Sequence, residues 1–243
     1  WKSTTKQPIT STPIVENGVL YVGCNDGSFK AFDLATGNMK WETTGIVGNI
    51  DCKATISQNK IFFTTWAGMI YGLNLADGTI AWQYQFNDNT VGMNNPTVVN
   101  NMIVLNAHGK IHALDVKDGN VMYTSESIQA KGTIAYNEQS NTIVTYSTAD
   151  TLYAYQCQTT TLSKKWMCNT QCGEFKNNDQ PTVNDDVIVV SGKNGELSAV
   201  NVTDGSLLWR HKYGNCLTHV TSFAKNKWVI TTSNGDVAML SFE

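Results

Sequence analysis

By type, the residues of this 243-residue chain best suited to chemistry are six cysteines and four histidines. The cysteines are Cys24, Cys52, Cys157, Cys168, Cys172 and Cys216; the histidines are His108, His112, His211 and His219. Cys172 and Cys216 follow Trp166 and Trp209 at nearly equal offsets, and Cys24 and Cys52 flank neighbouring segments. A structural zinc site needs four such ligands to converge, and Cys168-x-x-x-Cys172 is a poor match to the usual knuckle spacing. A Cys24–Cys52 or Cys172–Cys216 disulfide is a separate arrangement. Unpaired cysteine ordinarily behaves as a small, half-buried apolar residue, so the thiols are read as free, with no metal and no cofactor. No Ser-His-Asp constellation stands at a recognisable spacing, and the chain reads as a non-enzyme.

Binding is the chemistry left. Trp66 occupies a turn position, and a loop tryptophan is a natural partner anchor. The stretch from Met167 to Gln180 carries Glu174, Phe175, Asn177 and Asp179, a mixed polar run with one aromatic. It lacks the D-x-D-x-D-G spacing of a calcium loop. With His108 and His219, these residues form a candidate surface for a protein or peptide partner. An alternative is a small-molecule or metal sensor using a central channel under Asn94, Asn106, His108 and His219.

The elements that must hold them come from a repeat. Asp33, Thr36, Gly37 and Trp41 return as Asn74, Asp77, Gly78 and Trp82. They return again as Asp115, Asp118, Gly119 and Tyr123, and as Asn201, Asp204, Gly205 and Trp209. The aromatics Trp41, Trp82 and Tyr123 lie 41 residues apart, and Trp166 and Trp209 lie 43 apart. A period near 40 with several short strands marks a propeller or solenoid. In the first unit, Thr12–Glu16, Val19–Val22, Phe29–Asp33 and Met39–Thr43 read as four strands. Asn17-Gly18, Asn25-Asp26-Gly27 and Thr36-Gly37 read as the turns between them. Four strands in a meander make a blade.

Six units are counted, over residues 12–44, 53–85, 96–126, 133–169, 181–213 and 221–243. The sixth ends after its third strand, while Trp1-Lys2-Ser3-Thr4-Thr5 resembles Trp41-Glu42-Thr43-Thr44. The expected fold is therefore a single all-β domain: a six-bladed β-propeller of four-stranded blades, with residues 1–6 closing the ring as the outer strand of the last blade. The second turns and the connections between units share one end of the blades, here the top, where Trp66 and His108 fall.

The pattern small-x-Asp/Asn-x-x-Thr/Asp-Gly-x-x-x-Trp resembles the quinoprotein-like (PQQ-like) repeat. It is carried by Ala31 through Trp41, Gly72 through Trp82 and Ala199 through Trp209. The resemblance implies that each Trp docks between neighbouring blades, with the small residue making room for its ring. The family spans quinone-dependent alcohol dehydrogenases, a bacterial outer-membrane assembly lipoprotein and propellers attached to other enzymes. The dehydrogenases resemble eight-bladed rings with a vicinal disulfide and a calcium ion. No adjacent cysteines occur here, so the non-enzymatic branch is the expectation, as a protein-binding scaffold or regulatory domain.

Bulk properties agree. Net charge is −3, which offers nucleic acid no basic face. Charged residues make up only 15%, and no apolar run approaches a membrane-spanning helix. No signal peptide is visible, and the chain opens at Trp1 rather than Met, as a mature form or part of a larger chain or complex would. Cysteine usage leans toward a reducing, cytoplasmic compartment.

Overall fold

A computed structural model describes residues 1–86, 94–173, 181–192, 194–213, 217–232 and 235–241, with backbone only at 217–219. Every regular element among them is a strand. The chain forms two compact units, Trp1–Thr124 and Ser125–Glu243.

The first unit holds three four-stranded antiparallel sheets. Sheet 1 is β1 (Ile14–Glu16), β2 (Val19–Cys24), β3 (Ser28–Asp33) and β4 (Met39–Thr43). Sheet 2 is β5 (Thr55–Ser57), β6 (Lys60–Thr64), β7 (Met69–Asn74) and β8 (Ile80–Gln85). Sheet 3 is β9 (Thr97–Val99), β10 (Met102–Ala107), β11 (Lys110–Asp115) and β12 (Val121–Thr124). In the second unit, sheet 4 is β13 (Ala130–Asn137), β14 (Thr142–Ser147), β15 (Thr151–Cys157) and β16 (Leu162–Asn169). Sheet 5 is β17 (Thr182–Asn184), β18 (Val187–Ser191), β19 (Glu196–Asn201) and β20 (Leu207–Lys212). Sheet 6 has three strands, β21 (Leu217–Ala224), β22 (Lys227–Thr232) and β23 (Val237–Ser241).

Each sheet is an up-and-down meander, as expected of a blade. The first hairpins turn at Asn17, Asn59, Asn100, Asn141, Asp185 and Asn226, all with φ between 49° and 58°. Asparagine and aspartate tolerate this left-handed region better than other side chains. In sheet 5 the turn falls on Asp185, while the preceding Asn184 ends β17 and donates to the carbonyl of Ala224. In sheet 4, Asp150 (φ 57°) replaces the glycine of the second turn. Its carboxylate accepts from the Thr170 hydroxyl at 2.6 Å and the Cys172 amide at 3.1 Å, so a side chain takes over the tethering of the next loop.

The inner strands of sheets 4 and 6 begin earlier than the sequence units suggest, at Ala130 and Leu217. Both are eight residues long and contain a register irregularity against the second strand.

The cores lie between sheets. Phe29 stacks on Phe63 at 4.5 Å and Phe63 on Tyr71 at 5.5 Å, joining sheets 1 and 2. Phe62, Ile70, Trp82, Phe86, Leu105 and Leu114 join sheets 2 and 3. Val144, Tyr146, Trp166, Ile188 and Val190 join sheets 4 and 5. Trp228, fully buried, packs with Val189, Leu197 and Ile230 between sheets 5 and 6. Second strands buried on both faces explain their continuous apolar runs.

The repeat tryptophan works as the family resemblance implies, and the structure adds a direction. Trp41 is paired across the sheet with Ala31, Trp82 with Gly72, Trp166 with Ala154 and Trp209 with Ala199. A Cβ on Gly72 would come within 2.7 Å of the Trp82 ring, which is why this position stays small. The indole then reaches forward to the following sheet. Trp41 Nε1 donates to Leu75 O at 3.1 Å, Trp82 Nε1 to Val116 O at 3.0 Å and Trp166 Nε1 to Val202 O at 2.8 Å. Each ring lies over the turn glycine of that sheet, Gly78, Gly119 and Gly205 respectively. The Trp N–H thus finds its partner while the ring buries a large apolar area.

Trp1 does the same, donating to Leu34 O at 2.9 Å, stacking with Phe32 at 6.2 Å and covering Gly37. The expectation of an N-terminal closing strand is corrected here: residues 1–6 form no strand. The physical reason is that the segment is held by side-chain docking and one loop bond rather than by a backbone ladder: Trp1 Nε1 donates to Leu34 O, and Pro8 O accepts the Asn25 amide at 3.1 Å.

Candidate functional site

The repeat's Asp and Trp are structural. Asp33 Oδ1 accepts from the Thr36 amide at 2.8 Å, the Thr36 hydroxyl at 2.9 Å and the Ala35 amide at 3.1 Å. Those bonds, led by the Thr36 amide, hold its carboxyl below the usual carboxylate range. Asp77 and Asp204 are lowered in the same way by Thr79 and Ser206. Asn201 of the Asn-Val-Thr sequon accepts the Thr203 amide at 2.7 Å, so it too serves its turn.

Five of the cysteines are described, and all are free thiols. A Cys24–Cys52 disulfide is therefore absent, and Cys172 carries no bridge; Cys216 lies outside the described residues. Burial pushes Cys157 and Cys172 up to about 11 and raises Cys24 and Cys52 as well. Such thiols are poor nucleophiles and poor metal ligands at neutral pH. Cys52 has a structural task. Its sulfur accepts the Thr64 amide at 3.2 Å, clipping the segment before β5 to the end of β6. Ser11 makes the same clip to Gly23, accepting its amide at 3.2 Å and donating to its carbonyl at 2.8 Å. Asn94 donates to Asn106 O at 2.8 Å in the corresponding place. Each clip spans twelve residues, so Ser, Cys and Asn are interchangeable parts of one repeat device.

That device bears on the channel-ligand alternative. Asn94 and Asn106 are buried, and the Asn94 amide is spent on the clip. In the second unit, a cleft of about 330 Å³ is bounded by the inner strands of sheets 4, 5 and 6 and lined by Tyr136, Thr182, Ser191, Thr221 and Ser222 among others. Among the described residues its lining has no charged side chain. Among the described residues, no three His, Cys, Asp or Glu side chains gather as a metal set would.

Of the expected partner surface, Trp66 and His108 are described. Glu174, Phe175, Asn177 and Asp179 lie outside the described residues, as does the His219 side chain on β21. Trp66 and His108 occupy the second turns of sheets 2 and 3, at the same end of their sheets. His108 sits at φ 50° in its turn, exposed, with its Nε2 against the Phe86 carbonyl. Trp66 is 37% exposed, yet it is not loose. Its amide donates to Asn49 O at 3.0 Å, and its indole Nε1 donates to Asp51 Oδ2. Asp51 Oδ1 accepts from the Thr10 hydroxyl, which also lies 2.9 Å from Asn25 Oδ1. On the adjoining loop, Val47 is 58% exposed and its amide donates to the Tyr71 hydroxyl at 3.1 Å. The arrangement is a partly exposed indole fixed by a carboxylate, with an exposed aliphatic side chain on the adjoining loop.

The sequence analysis gives Asp51 no role. The signal was available: Thr10 and Asp51 stand 41 residues apart, so a carboxylate replaces a hydroxyl at one repeat position beside an unusual tryptophan.

A family profile described as outer membrane protein assembly factor BamB matches residues 1–50, 43–156 and 124–243. The chain belongs to this PQQ-like repeat family. The outer membrane protein assembly factor BamB of Moranella endobia is 23% identical over 98% of this chain, which spans 63% of that protein's length. The crystal structure of BamB from Moraxella catarrhalis superposes with a TM-score of 0.83 at 22% identity, over 99% of this chain and 76% of that one. The shared fold is the β-propeller, and the six sheets here are blades of that kind. A quinone-dependent alcohol dehydrogenase subunit of Gluconobacter oxydans is 31% identical, but over 29% of this chain and 11% of its own. The lean toward a cytoplasmic compartment is corrected by these matches. The name outer membrane protein assembly factor recurs among relatives from several organisms. The buried thiols explain the error: they stay unpaired because of where they sit, so their state carries no news of the compartment.

Proposed function

We propose that this chain is a non-catalytic scaffold of outer-membrane protein assembly that holds a protein partner on the turn face bearing Trp66 and His108. The carrying observation is Trp66, an exposed aromatic whose polar end is tied to Asp51. A pre-set ring loses little freedom on docking, and this is how large aromatics become interface anchors. Family membership supports the assembly role, and the dehydrogenase match is too short to carry a quinone site.

The test is a photo-crosslinker placed beside the anchor. Val47→p-benzoylphenylalanine in the native cell should yield adducts that mass spectrometry identifies as outer-membrane assembly components. The same group at Thr79, on the opposite turns, should yield none. Adducts from Thr79 alone, or none from Val47, would overturn the reading.

We also propose that the six blades close on themselves, with the segment around Trp1 supplying the last blade's missing aromatic. The support is that Trp1 docks on sheet 1 just as Trp41 docks on sheet 2. Removing residues 1–6 should lower the melting temperature of the whole chain in one cooperative transition. An unchanged melt would refute this closure.

A further inference from the structure

The pair formed by Trp66 and Asp51 has a chemistry of its own. Asp51 is half-buried and takes two donors, the Trp66 indole and the Thr10 hydroxyl. A carboxylate has about four lone-pair positions, so two remain. Among the described residues no Lys, Arg or His pairs with Asp51, although Asp26, next to Asn25, is answered by Lys30 at 3.7 Å. Its neighbour Asn25 also turns an acceptor oxygen toward Thr10, so the local groups are acceptors facing one another around a single hydroxyl. An N–H donor bond runs along the ring edge, close to the ring plane. The carboxylate therefore sits at the rim of the indole rather than over a face, and the residue keeps 37% of its surface exposed.

A partly exposed indole and an uncompensated carboxylate at its rim match one kind of side chain. The indole face attracts a cation through its quadrupole. A guanidinium laid flat on the ring keeps its N–H donors in its own plane, pointing past the ring edge toward the carboxylate. We infer that Trp66 and Asp51 form a seat for an arginine side chain of the protein partner. Lysine fits less well because a point charge cannot lie flat on the ring and fork to the acid together. The inference rests on the scaffold reading above and names the partner chemistry of that surface.

Blocked tripeptides Ac-Ala-X-Ala-NH2 with X as arginine, citrulline, lysine or leucine test it on the whole chain. The readout is the Trp66 indole N–H resonance, assigned by its loss in Trp66→Phe. The arginine peptide should titrate that resonance, and citrulline, its neutral isostere, should bind about fivefold more weakly, the scale of an exposed cation–π contact plus an exposed ion pair. Asp51→Asn keeps an acceptor for the indole and removes the charge; it should weaken arginine about twofold, the ion-pair share alone, leaving it above citrulline by the cation–π share, with thermal melts confirming the fold. Equal titration by citrulline and arginine, an unaffected Asp51→Asn, or no shift with any peptide would overturn the seat. If the peptides fail while the Val47 crosslinker still captures an assembly component, the scaffold stands and only the arginine seat falls. If the peptides bind and the crosslinker captures nothing, the reverse holds.

Discussion

Glycine carries different meanings at different turns of this protein. Gly18 and Gly78 both have positive φ, 73° and 75°. A Cβ on Gly18 would meet nothing within 4 Å, whereas one on Gly78 would lie 2.5 Å from the Trp41 ring. Gly18→Ala should therefore cost about 1 kcal/mol, the strain of a side chain in the left-handed region. Gly78→Ala adds eviction of a docked tryptophan and should cost about 3 kcal/mol or more, in the range of emptying a large core site. Denaturant unfolding of the two variants checks the difference, and Trp fluorescence should shift in the native state of Gly78→Ala only. Equal losses would mean that the ring yields freely. Both glycines read alike in the sequence as turn residues, because the sequence shows that a turn needs positive φ but not what lies above it. Trp66 was legible as an oddity; Asp51, its tether, was not, since the bond joins two loops whose proximity only the folded sheets create.

At the level of elements, the meander, the turns and the pairing of small residue with Trp were all open to reading, because each rests on short-range chemistry repeated near every 40 residues. The bulge was not. In sheets 1 to 5 the third and fourth strands slip register at one place, between Ala31 and Phe32, Gly72 and Leu73, Ala113 and Leu114, Ala154 and Tyr155, and Ala199 and Val200. The extra residue always immediately precedes the aromatic: Lys40, Ala81, Met122, Lys165 and Leu208. An added residue flips side-chain facing and sharpens local twist, which turns the aromatic toward the following sheet. No one side-chain type runs through those five residues, which are lysine twice and alanine, methionine and leucine once each, so composition leaves no trace of them; only their place before the aromatic is constant. The clip residues Ser11, Cys52 and Asn94 escaped notice for a similar reason, since three chemically different side chains fill one role.

At the scale of the molecule, the thiols couple stability to pH. Cys157 and Cys172 are raised from 9.0 to about 11 by burial. Below pH 9 both states hold the proton and the thiols are neutral in stability. Between about 9 and 11 the unfolded chain gives up protons that the folded chain keeps, so unfolding gains ground as pH rises. Stability measured by denaturant should thus fall across that window, and Cys157→Ala with Cys172→Ala should flatten the fall; Tyr21 and Tyr136, raised from 10.0, add a decline above 10. A profile unchanged by the double variant would show that these thiols are wetter than their burial implies.

The forward reach of each tryptophan has a consequence for how such a chain can grow. Trp41 fills a seat in sheet 2, Trp82 one in sheet 3 and Trp166 one in sheet 5, never the reverse. Coupling along the array is polar, like a head-to-tail polymer, and a sheet is not a self-contained module. Sheet 2 carries both a socket, at Gly78, and a plug, Trp82. A gene duplication copying such a sheet from its first strand to its last would seat every tryptophan at the new junction, whereas a copy that stopped short of the fourth strand would leave the next socket empty. Lengthening or shortening of this array is expected to have gone by whole sheets, and engineered insertions should do the same.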